Sequence, residues 1–373
     1  MLRWPHAAEK ERMRDGNTEF TEIRTQRLRR RKRNPRPRHK LRAWGTRPPD
    51  GIGVNAGNGE IEGRLRERDW TMADKFAVGL VQMRCTGNKE ENLTRAVEKI
   101  REAAARGAQI ICLHELFAGE YFCRTEDAEL FALAEAVPGP TTERLAAVAK
   151  EKNVALVVSL FERRAAGVYH NTCAIVDADG AYVGKYRKMH IPDDPLYYEK
   201  FYFTPGDLGF LNFDTKYARI GVQICWDQWY PEGSRITAMR GAQVIFYPTS
   251  IGWHPHEKAE FGAAQLDAWK TIQRAHAVAN GIYVAVVNRV GFEGKPEKGD
   301  AGLEFWGNSF VADPFGVVVA EASQEKEEIL VVECDPGKSE ETRRNWPFFR
   351  DRRIDAFEPL LKRWDGKEEE KGR

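Results

Sequence analysis

From Phe76 onward, short apolar runs of strand length alternate with amphipathic helical segments, and no other feature of the sequence limits the fold as strongly. Strands joined through helices pair in parallel, and their sheet needs helices packed on its face. Two turn signals, Asp179-Gly180 and Pro314-Phe315-Gly316, lie between adjacent apolar runs and add antiparallel hairpins. The sequence therefore predicts a layered α/β domain with mixed sheets over residues 74–340.

The spacing of apolar residues places each predicted element. Strands are predicted at 76–83, 109–113, 154–161, 173–178, 181–186, 218–224, 244–247, 283–288, 310–313, 317–321 and 329–334. Helices are predicted at 92–105, 141–152, 233–240 and 265–280.

Residues 1–71 differ in character, because they contain 19 Lys and Arg against 10 Asp and Glu and little apolar periodicity. Such a composition predicts a disordered basic extension. There are three alternatives for this extension: a nucleic-acid-binding arm, a dispensable leader, or a start-site artefact with translation from Met72. Residues 72–373 have no matching basic stripe and are expected to bind no nucleic acid. Residues 341–373 are predicted to be an extension that packs on the domain or on a dimer partner, with a disordered end.

Cysteine usage and the absence of several motifs exclude other classes of protein. The chain has no apolar run of membrane-spanning length and no secretory leader, GxGxxG or Walker A loop. His254 and His256 lack helical ligand spacing, so a loop that lines the pocket is favoured over a metal site, and no metal is expected. The cysteines are far apart and form no CxxC pair, which predicts reduced thiols in a cytoplasmic protein. They are Cys85, Cys112, Cys123, Cys173, Cys225 and Cys334.

Cys225 is placed where a nucleophile would benefit. It ends the apolar strand at 218–224, and Pro231-Glu232 then has the character of a first helical turn. A thiol beside backbone N–H groups is favoured as a thiolate, and the same dipoles stabilise a developing oxyanion. By itself, however, a cysteine at the end of a strand is more often an inert core residue.

Two charged residues also follow predicted strands. Glu115 comes after the strand at 109–113, and Lys188 comes after the strand at 181–186. Each alone has a simpler interpretation as a surface charge at a strand end. Together with Cys225 they supply a base, a cation and a soft nucleophile, which are the groups that acyl transfer requires.

These segments resemble the Glu-Lys-Cys triad of the nitrilase (carbon–nitrogen hydrolase) superfamily. The resemblance extends over about 76–361 and includes 274–281 and Val287-Asn288-Arg289-Val290-Gly291. Within the superfamily, four further segments resemble the N-carbamoylputrescine amidases. They are 188–195, 199–207, 225–229 and 349–353.

The resemblance implies a four-layer αββα sandwich and a homo-oligomeric thiol hydrolase that uses no cofactor. It makes Cys225 the nucleophile on the carbon of a ureido substrate and Glu115 the general base. Lys188 and a backbone N–H near Trp226 would stabilise the oxyanion. Glu199, eleven residues after Lys188, matches a second family glutamate that orients Lys188 and the attacking water.

A carbamoylated diamine ends in a primary ammonium, which a carboxylate or an aromatic face would bind. Four residues are candidates, although each also has an interpretation as a turn, cap or core residue: Glu120, Asp194, Asp227 and Trp253. A β-ureidopropionase or an N-carbamoyl amino acid amidohydrolase is the alternative. Those enzymes act on substrates that end in a carboxylate, so they would need Arg or Lys in the same place.

Overall fold

The computed structural model describes residues 74–366. The predicted extension at 1–71 and the last seven residues of the 341–373 segment lie outside the described residues. The strands are β1 (Phe76–Gln82), β2 (Ile110–Leu113), β3 (Ala155–Ala165), β4 (Val168–Val176), β5 (Tyr182–Arg187), β6 (Asn212–Asp214), β7 (Arg219–Val222), β8 (Val244–Thr249), β9 (Gly252–Trp253), β10 (Tyr283–Asn288), β11 (Val290–Lys295), β12 (Asp300–Trp306), β13 (Phe310–Ala312), β14 (Val318–Glu321) and β15 (Glu328–Cys334). The α-helices are α1 (Lys89–Ala105), α2 (Pro140–Lys152), α3 (Glu199–Tyr202), α4 (Pro231–Met239), α5 (Lys258–Asn280) and α6 (Pro336–Asn345).

The strands form two six-stranded mixed sheets and one small sheet. The first large sheet has the order β15-β1-β2-β3-β4-β5, and the second has the order β14-β13-β10-β8-β7-β6. In each sheet three consecutive strands are parallel, β1-β2-β3 in the first and β7-β8-β10 in the second. The third sheet has three strands in the order β11-β12-β9.

Two hydrophobic clusters define the layers. One joins the facing sides of the two large sheets, with Val78 and Ile110 from the first packed in the same cluster as Val222 and Phe246 from the second. The other joins the outer side of the first sheet to α1 and α2. Since α4 and α5 contact β8 and β10 of the second sheet, the order of layers is helix, sheet, sheet, helix, and the predicted αββα sandwich is confirmed.

Local sequence explains why these elements form where they do. Asn88 caps α1, because its side chain accepts hydrogen bonds from the N–H groups of Glu90 and Glu91. Leu93 and Ile100 of α1 are buried at helical spacing against the first sheet. Each strand and helix predicted from the sequence is present, with ends shifted by up to seven residues.

The small third sheet was not predicted from the sequence. Its strand β9 has only two residues, and β11 and β12 contain Gly291, Gly294 and Gly302, which interrupt the alternation of apolar and polar residues. The strand predicted at 218–224 also ends early, at Val222. The Ile224 N–H leaves the sheet and donates to Asp227 Oδ2 at 3.0 Å, which begins the turn that carries Cys225.

The segment after α6 places Phe349 among three guanidinium groups. Those of Arg343, Arg352 and Arg235 lie 4.8, 5.1 and 5.5 Å from the centre of its ring. Within residues 74–366, no helix is long and apolar enough to cross a membrane.

Candidate active site

Glu115 follows β2 and is fully buried. Its Oε1 accepts hydrogen bonds from Lys188 Nζ at 2.8 Å and from Asn171 Nδ2 at 2.7 Å. Its Oε2 is also buried but has no hydrogen-bond partner among the described residues. Because an unpaired buried carboxylate oxygen is costly, this atom is a candidate to receive a proton or a substrate group.

Lys188 lies between two buried carboxylates. Its ammonium donates to Glu115 and also to Glu199 Oε2 at 2.7 Å, and all three side chains are fully buried. Burial alone would lower the pKa of Lys188, but the charges of Glu115 and Glu199 outweigh burial and hold the pKa well above its ordinary value. The lysine is therefore a fixed cation at neutral pH and cannot act as a base.

Glu199 is the first residue of α3 and completes the charged group. Its Oε1 accepts a hydrogen bond from the buried Tyr121 hydroxyl at 2.6 Å. Burial raises the pKa of the Glu199 carboxyl to about 7, and the charge of Glu115 adds to this effect while Lys188 opposes it. Two carboxylates around one ammonium leave one net negative charge in a closed site, which favours binding of a proton at Glu199 near neutral pH.

Cys225 begins a short 3₁₀ turn, Cys225–Trp229, shortly after the end of β7 in the second sheet. Its φ of 44° is in the left-handed region, which a residue with a side chain rarely adopts. Burial raises the pKa of the thiol well above its ordinary value, and Glu115 adds to the rise, whereas Lys188 and a backbone hydrogen bond from Ser250 oppose it. The resting group is thus a neutral thiol that needs a base before it can attack.

Asp227 holds the cysteine turn in place. Its Oδ2 accepts from the Ile224 N–H and from the Tyr186 hydroxyl at 2.7 Å, and its Oδ1 accepts from the backbone N–H and the Nδ1 of His190. The sequence made Asp227 a candidate to bind the substrate ammonium. In the structure both oxygens already have partners from the protein, so an ammonium would have to displace one of them.

The other residues suggested by the sequence lie in different surroundings. Trp226 is partly exposed, whereas Trp253 is buried in β9 and donates its Nε1–H to the Gly262 carbonyl at 3.2 Å. Asp194 is partly exposed and lies in the loop between the buried residues Ile191 and Tyr197, shortly before α3. Glu120 is one-third exposed and lies 3.6 Å from Arg124.

A cavity of about 400 Å³ lies beside the Glu115 turn. Glu120, Arg124 and Asp300 line it together with apolar groups, and Leu116 and Ser159 contribute to its wall. Neither Cys225 nor Lys188 is among its lining residues. Glu120 is therefore the candidate substrate-binding carboxylate that faces open space.

His254 and His256 were judged a poor metal pair from their spacing. The structure buries His254 and leaves the side chain of His256 74% exposed, with ring centres 5.7 Å apart. Burial lowers the pKa of His254, so this imidazole is neutral at physiological pH.

Several residues that support the site were missed in the sequence. They are Tyr121, Asn171, Ser250, Arg289 and Glu293. Asn171 had a visible signal, because His170-Asn171-Thr172 puts three polar residues into an otherwise apolar strand. Tyr121 had none, since its contact with Glu199 spans 78 positions of the chain.

Known proteins share this fold and part of this sequence. Residues 77–344 match the carbon-nitrogen hydrolase family. The N-carbamoylputrescine amidase of Oryza sativa subsp. japonica is 45% identical over 77% of this chain and 95% of its own length. The citrullinase of Francisella tularensis is 38% identical over 77% of this chain and 98% of its own length.

A solved structure agrees with these matches. The crystal structure of a carbon-nitrogen hydrolase from Helicobacter pylori G27 superimposes with a TM-score of 0.76 at 42% identity, over 78% of this chain and all of that one. The fold and the sequence together define an amide-cleaving hydrolase. The chain belongs to the carbon–nitrogen hydrolase family.

Proposed function

We propose that the protein hydrolyses N-carbamoylputrescine to putrescine, carbon dioxide and ammonia through a carbamoyl thioester on Cys225. The observation that carries the chemistry is the buried hydrogen-bonded set of Glu115, Lys188 and Glu199, whose charges act on the Cys225 thiol. The choice of substrate is supported by the rice relative, which is an N-carbamoylputrescine amidase.

Glu115 is the general base in this proposal. The thiol is neutral at rest, because burial and the nearby carboxylate raise its pKa. The unpartnered Oε2 of Glu115 can accept the thiol proton, whereas its Oε1 is held by Lys188 and Asn171. This division of roles keeps one oxygen oriented while the other is available for chemistry.

The thiolate attacks the ureido carbon, and the carbonyl oxygen becomes negative. Lys188 and a backbone N–H near Trp226 stabilise that oxyanion in a buried site of low dielectric constant, where such interactions are stronger than in bulk water. Collapse of the intermediate breaks the bond to the terminal nitrogen, which leaves as ammonia with the proton from Glu115. The product on the enzyme is a carbamoyl thioester.

Water then attacks the thioester after giving a proton to Glu115, and the carbon–sulfur bond breaks. The thiolate recovers its proton, and the released carbamate loses carbon dioxide to give the free amine. Glu199 keeps Lys188 charged and orients it throughout, since the two groups share a hydrogen bond at 2.7 Å. No cofactor is needed in any of these steps.

The distal ammonium of the substrate is assigned to Glu120 or Asp194. Glu120 faces a cavity next to the Glu115 turn, and Asp194 lies in the loop between Lys188 and Glu199. Asp227 is assigned to holding the cysteine turn instead, because protein groups already occupy both of its oxygens. Trp226 is the aromatic residue beside the nucleophile that is open to the methylene chain.

Three ureido substrates test the proposal. Citrulline is N-carbamoylputrescine with a carboxylate added to the carbon that bears the ammonium. β-Ureidopropionate has a shorter chain that ends in a carboxylate instead of an ammonium. We expect kcat/KM for ammonia release to be about 100-fold higher for N-carbamoylputrescine than for either, since an unpaired charge in a closed pocket costs about 3 kcal/mol. A preference for β-ureidopropionate or citrulline would refute the substrate assignment.

The mechanism has its own test with the preferred substrate. We expect Cys225→Ser to release ammonia at least about 1,000-fold more slowly than wild type, because a hydroxyl is a far weaker nucleophile than a thiol. Retained activity would exclude the thioester. The matched control is Cys112→Ser, which changes a different buried free cysteine, in β2, and this variant is expected to keep its activity.

We also infer a homo-oligomer in the cytoplasm. All six cysteines are free, which supports a reducing compartment. Light scattering coupled to size-exclusion chromatography measures the mass of the particle, and a mass near the 42.6 kDa of one chain would exclude the oligomer.

A further inference from the structure

Arg289 hydrogen-bonds to the backbone of the turn that carries Glu115. Its guanidinium donates to the carbonyl oxygens of Glu115 at 3.1 Å, Leu116 at 2.9 Å and Gly119 at 2.8 Å. The side chain is fully buried, and its residue lies between β10 and β11, more than 170 positions away in the chain. Leu116 has a φ of 50°, so the turn that carries Glu115 has a backbone conformation that is unfavourable by itself.

Ser250 connects the same turn to the nucleophile. Its hydroxyl donates to the Glu115 carbonyl at 3.0 Å and accepts from Arg289 Nε at 3.2 Å. Its backbone makes the hydrogen bond that acts on the Cys225 thiol. One fully buried residue at the end of β8 is therefore in contact with the base, the nucleophile and the arginine.

Glu293 extends the network to the second carboxylate. It accepts from Arg289 Nη1 at 2.6 Å and, through its other oxygen, from the backbone N–H of Tyr121 at 2.6 Å. The Tyr121 hydroxyl in turn donates to Glu199. The buried pair of Arg289 and Glu293 thus holds the backbone from Glu115 to Tyr121, and the Tyr121 hydroxyl supports Glu199.

We propose that Arg289, together with Ser250, is a positioning residue that holds the Glu115 carboxylate at reacting distance from Cys225. The idea rests on the proposed function, because it takes Glu115 as the base and Cys225 as the nucleophile. It assigns a role to Arg289 within the segment Val287-Asn288-Arg289-Val290-Gly291, which none of the catalytic steps uses.

Stability alone does not account for this arrangement. A buried ion pair gains little over apolar residues of the same size, since removing both charges from water is costly. Apart from the ion pair with Glu293, the guanidinium donates to three backbone carbonyls of the Glu115 turn and to the Ser250 hydroxyl, rather than to a second carboxylate. Its planar fork fits such a set, and a lysine ammonium, which is a point charge, does not.

Two variants and two matched controls test the role. Ser250→Ala removes only the hydroxyl, and Ser234→Ala removes an equally buried hydroxyl that bonds Tyr247 at 2.9 Å. Arg289→Lys keeps the charge, and Arg343→Lys changes another arginine that donates to a backbone carbonyl, that of Asn280, at 2.9 Å. Each protein is measured for kcat and KM per folded molecule and for the rate at which iodoacetamide alkylates Cys225.

We expect kcat to fall about 10-fold in Ser250→Ala and about 100-fold in Arg289→Lys, with KM almost unchanged, because small displacements of a catalytic group carry costs of this size. Alkylation of Cys225 should slow in parallel. Both controls should keep the wild-type kcat. A role in stability alone would instead lower the melting temperature and leave kcat per folded molecule unchanged, and that result would overturn the proposal.

The same experiment separates this proposal from the proposed function. Glu115→Gln should abolish turnover if Glu115 is the base; if it stays active, the catalytic assignment itself fails. If Glu115→Gln is inactive while Ser250→Ala and Arg289→Lys keep wild-type kcat, only the positioning role is wrong. Should Arg289→Lys not fold, Ser250→Ala decides the question, since it deletes a single oxygen.

Discussion

Tyr121→Phe isolates the hydrogen bond that supports the second carboxylate. The substitution removes one hydroxyl from a fully buried ring and leaves Glu199 Oε1 without the donor it has at 2.6 Å. That hydrogen bond lowers the pKa of Glu199, in opposition to burial, which raises it to about 7. Its loss should therefore raise the pKa of Glu199 further.

The size of the change follows from the type of bond. A hydrogen bond to a charged group contributes about 1.5–3 kcal/mol, and one pKa unit corresponds to about 1.4 kcal/mol. We expect the acidic limb of the kcat/KM profile, which reflects ionisation of Glu199, to move up by about 1–2 pH units. At pH 6.5 the variant should be about 10- to 100-fold slower than wild type, with most of the loss recovered near pH 9.

The assay is ammonia release from N-carbamoylputrescine between pH 5.5 and 9.5. Tyr186→Phe is the matched control, because it also removes a buried hydroxyl that donates to a carboxylate, Asp227, at 2.7 Å. The control should lose stability but keep the position of the acidic limb. An unchanged limb in Tyr121→Phe would refute the reasoning, and so would an equal shift in both variants.

Three further outcomes are expected. The pKa of Glu199 is raised from 4.5 to about 7 on folding, so the stabilising effect of its protonated carboxyl is complete below pH 4.5 and is lost as the pH rises through about 7. The free energy of unfolding should therefore fall over this range more in wild type than in Glu199→Gln. Urea titrations at several pH values measure this difference. Gly206→Ala would place a Cβ 2.2 Å from the Arg187 carbonyl and 3.0 Å from that of Lys188, so we expect a loss of about 1–3 kcal/mol by denaturation and a lower kcat. Glu120→Gln should raise KM for N-carbamoylputrescine and leave kcat unchanged, and steady-state kinetics that show no change in KM would remove Glu120 from the substrate site.

The sequence was sufficient to predict the α/β sandwich and to select Glu115, Lys188 and Cys225 for the site. Each of the three follows an apolar strand, which made it a candidate, and the resemblance to the nitrilase superfamily then selected the three together and implied the sandwich. The strand ends belong to two sheets, since β2 and β5 precede Glu115 and Lys188 in the first sheet and β7 precedes Cys225 in the second. Hydrogen bonds in the structure join Glu115, Lys188 and Glu199, and the charges of all three act on Cys225.

The supporting residues could not be predicted in the same way. Arg289 precedes a short glycine-containing strand, and only the packing of β11 against the Glu115 turn gives its charge three carbonyl partners. Asp227 was assigned to the substrate because it lies beside Cys225 in sequence. Its side chain turns back to the Ile224 N–H and to Tyr186, a residue 41 positions away, and sequence spacing carries no information about that direction.

The order of strands in the two large sheets has a consequence for how such a site can arise. Reading β1-β2-β3-β4-β5 against β7-β8-β10-β13-β14 gives the same sequence of parallel and antiparallel neighbours, with helices at corresponding places. Glu115 follows β2 and Ser250 follows β8, the corresponding strand, and the two residues hydrogen-bond to each other. The molecule is built as two like halves whose equivalent strand ends meet, one supplying the base and the other its support. Neither half contains the base, the cation and the nucleophile together, so the complete catalytic site forms only where the two halves pack against each other.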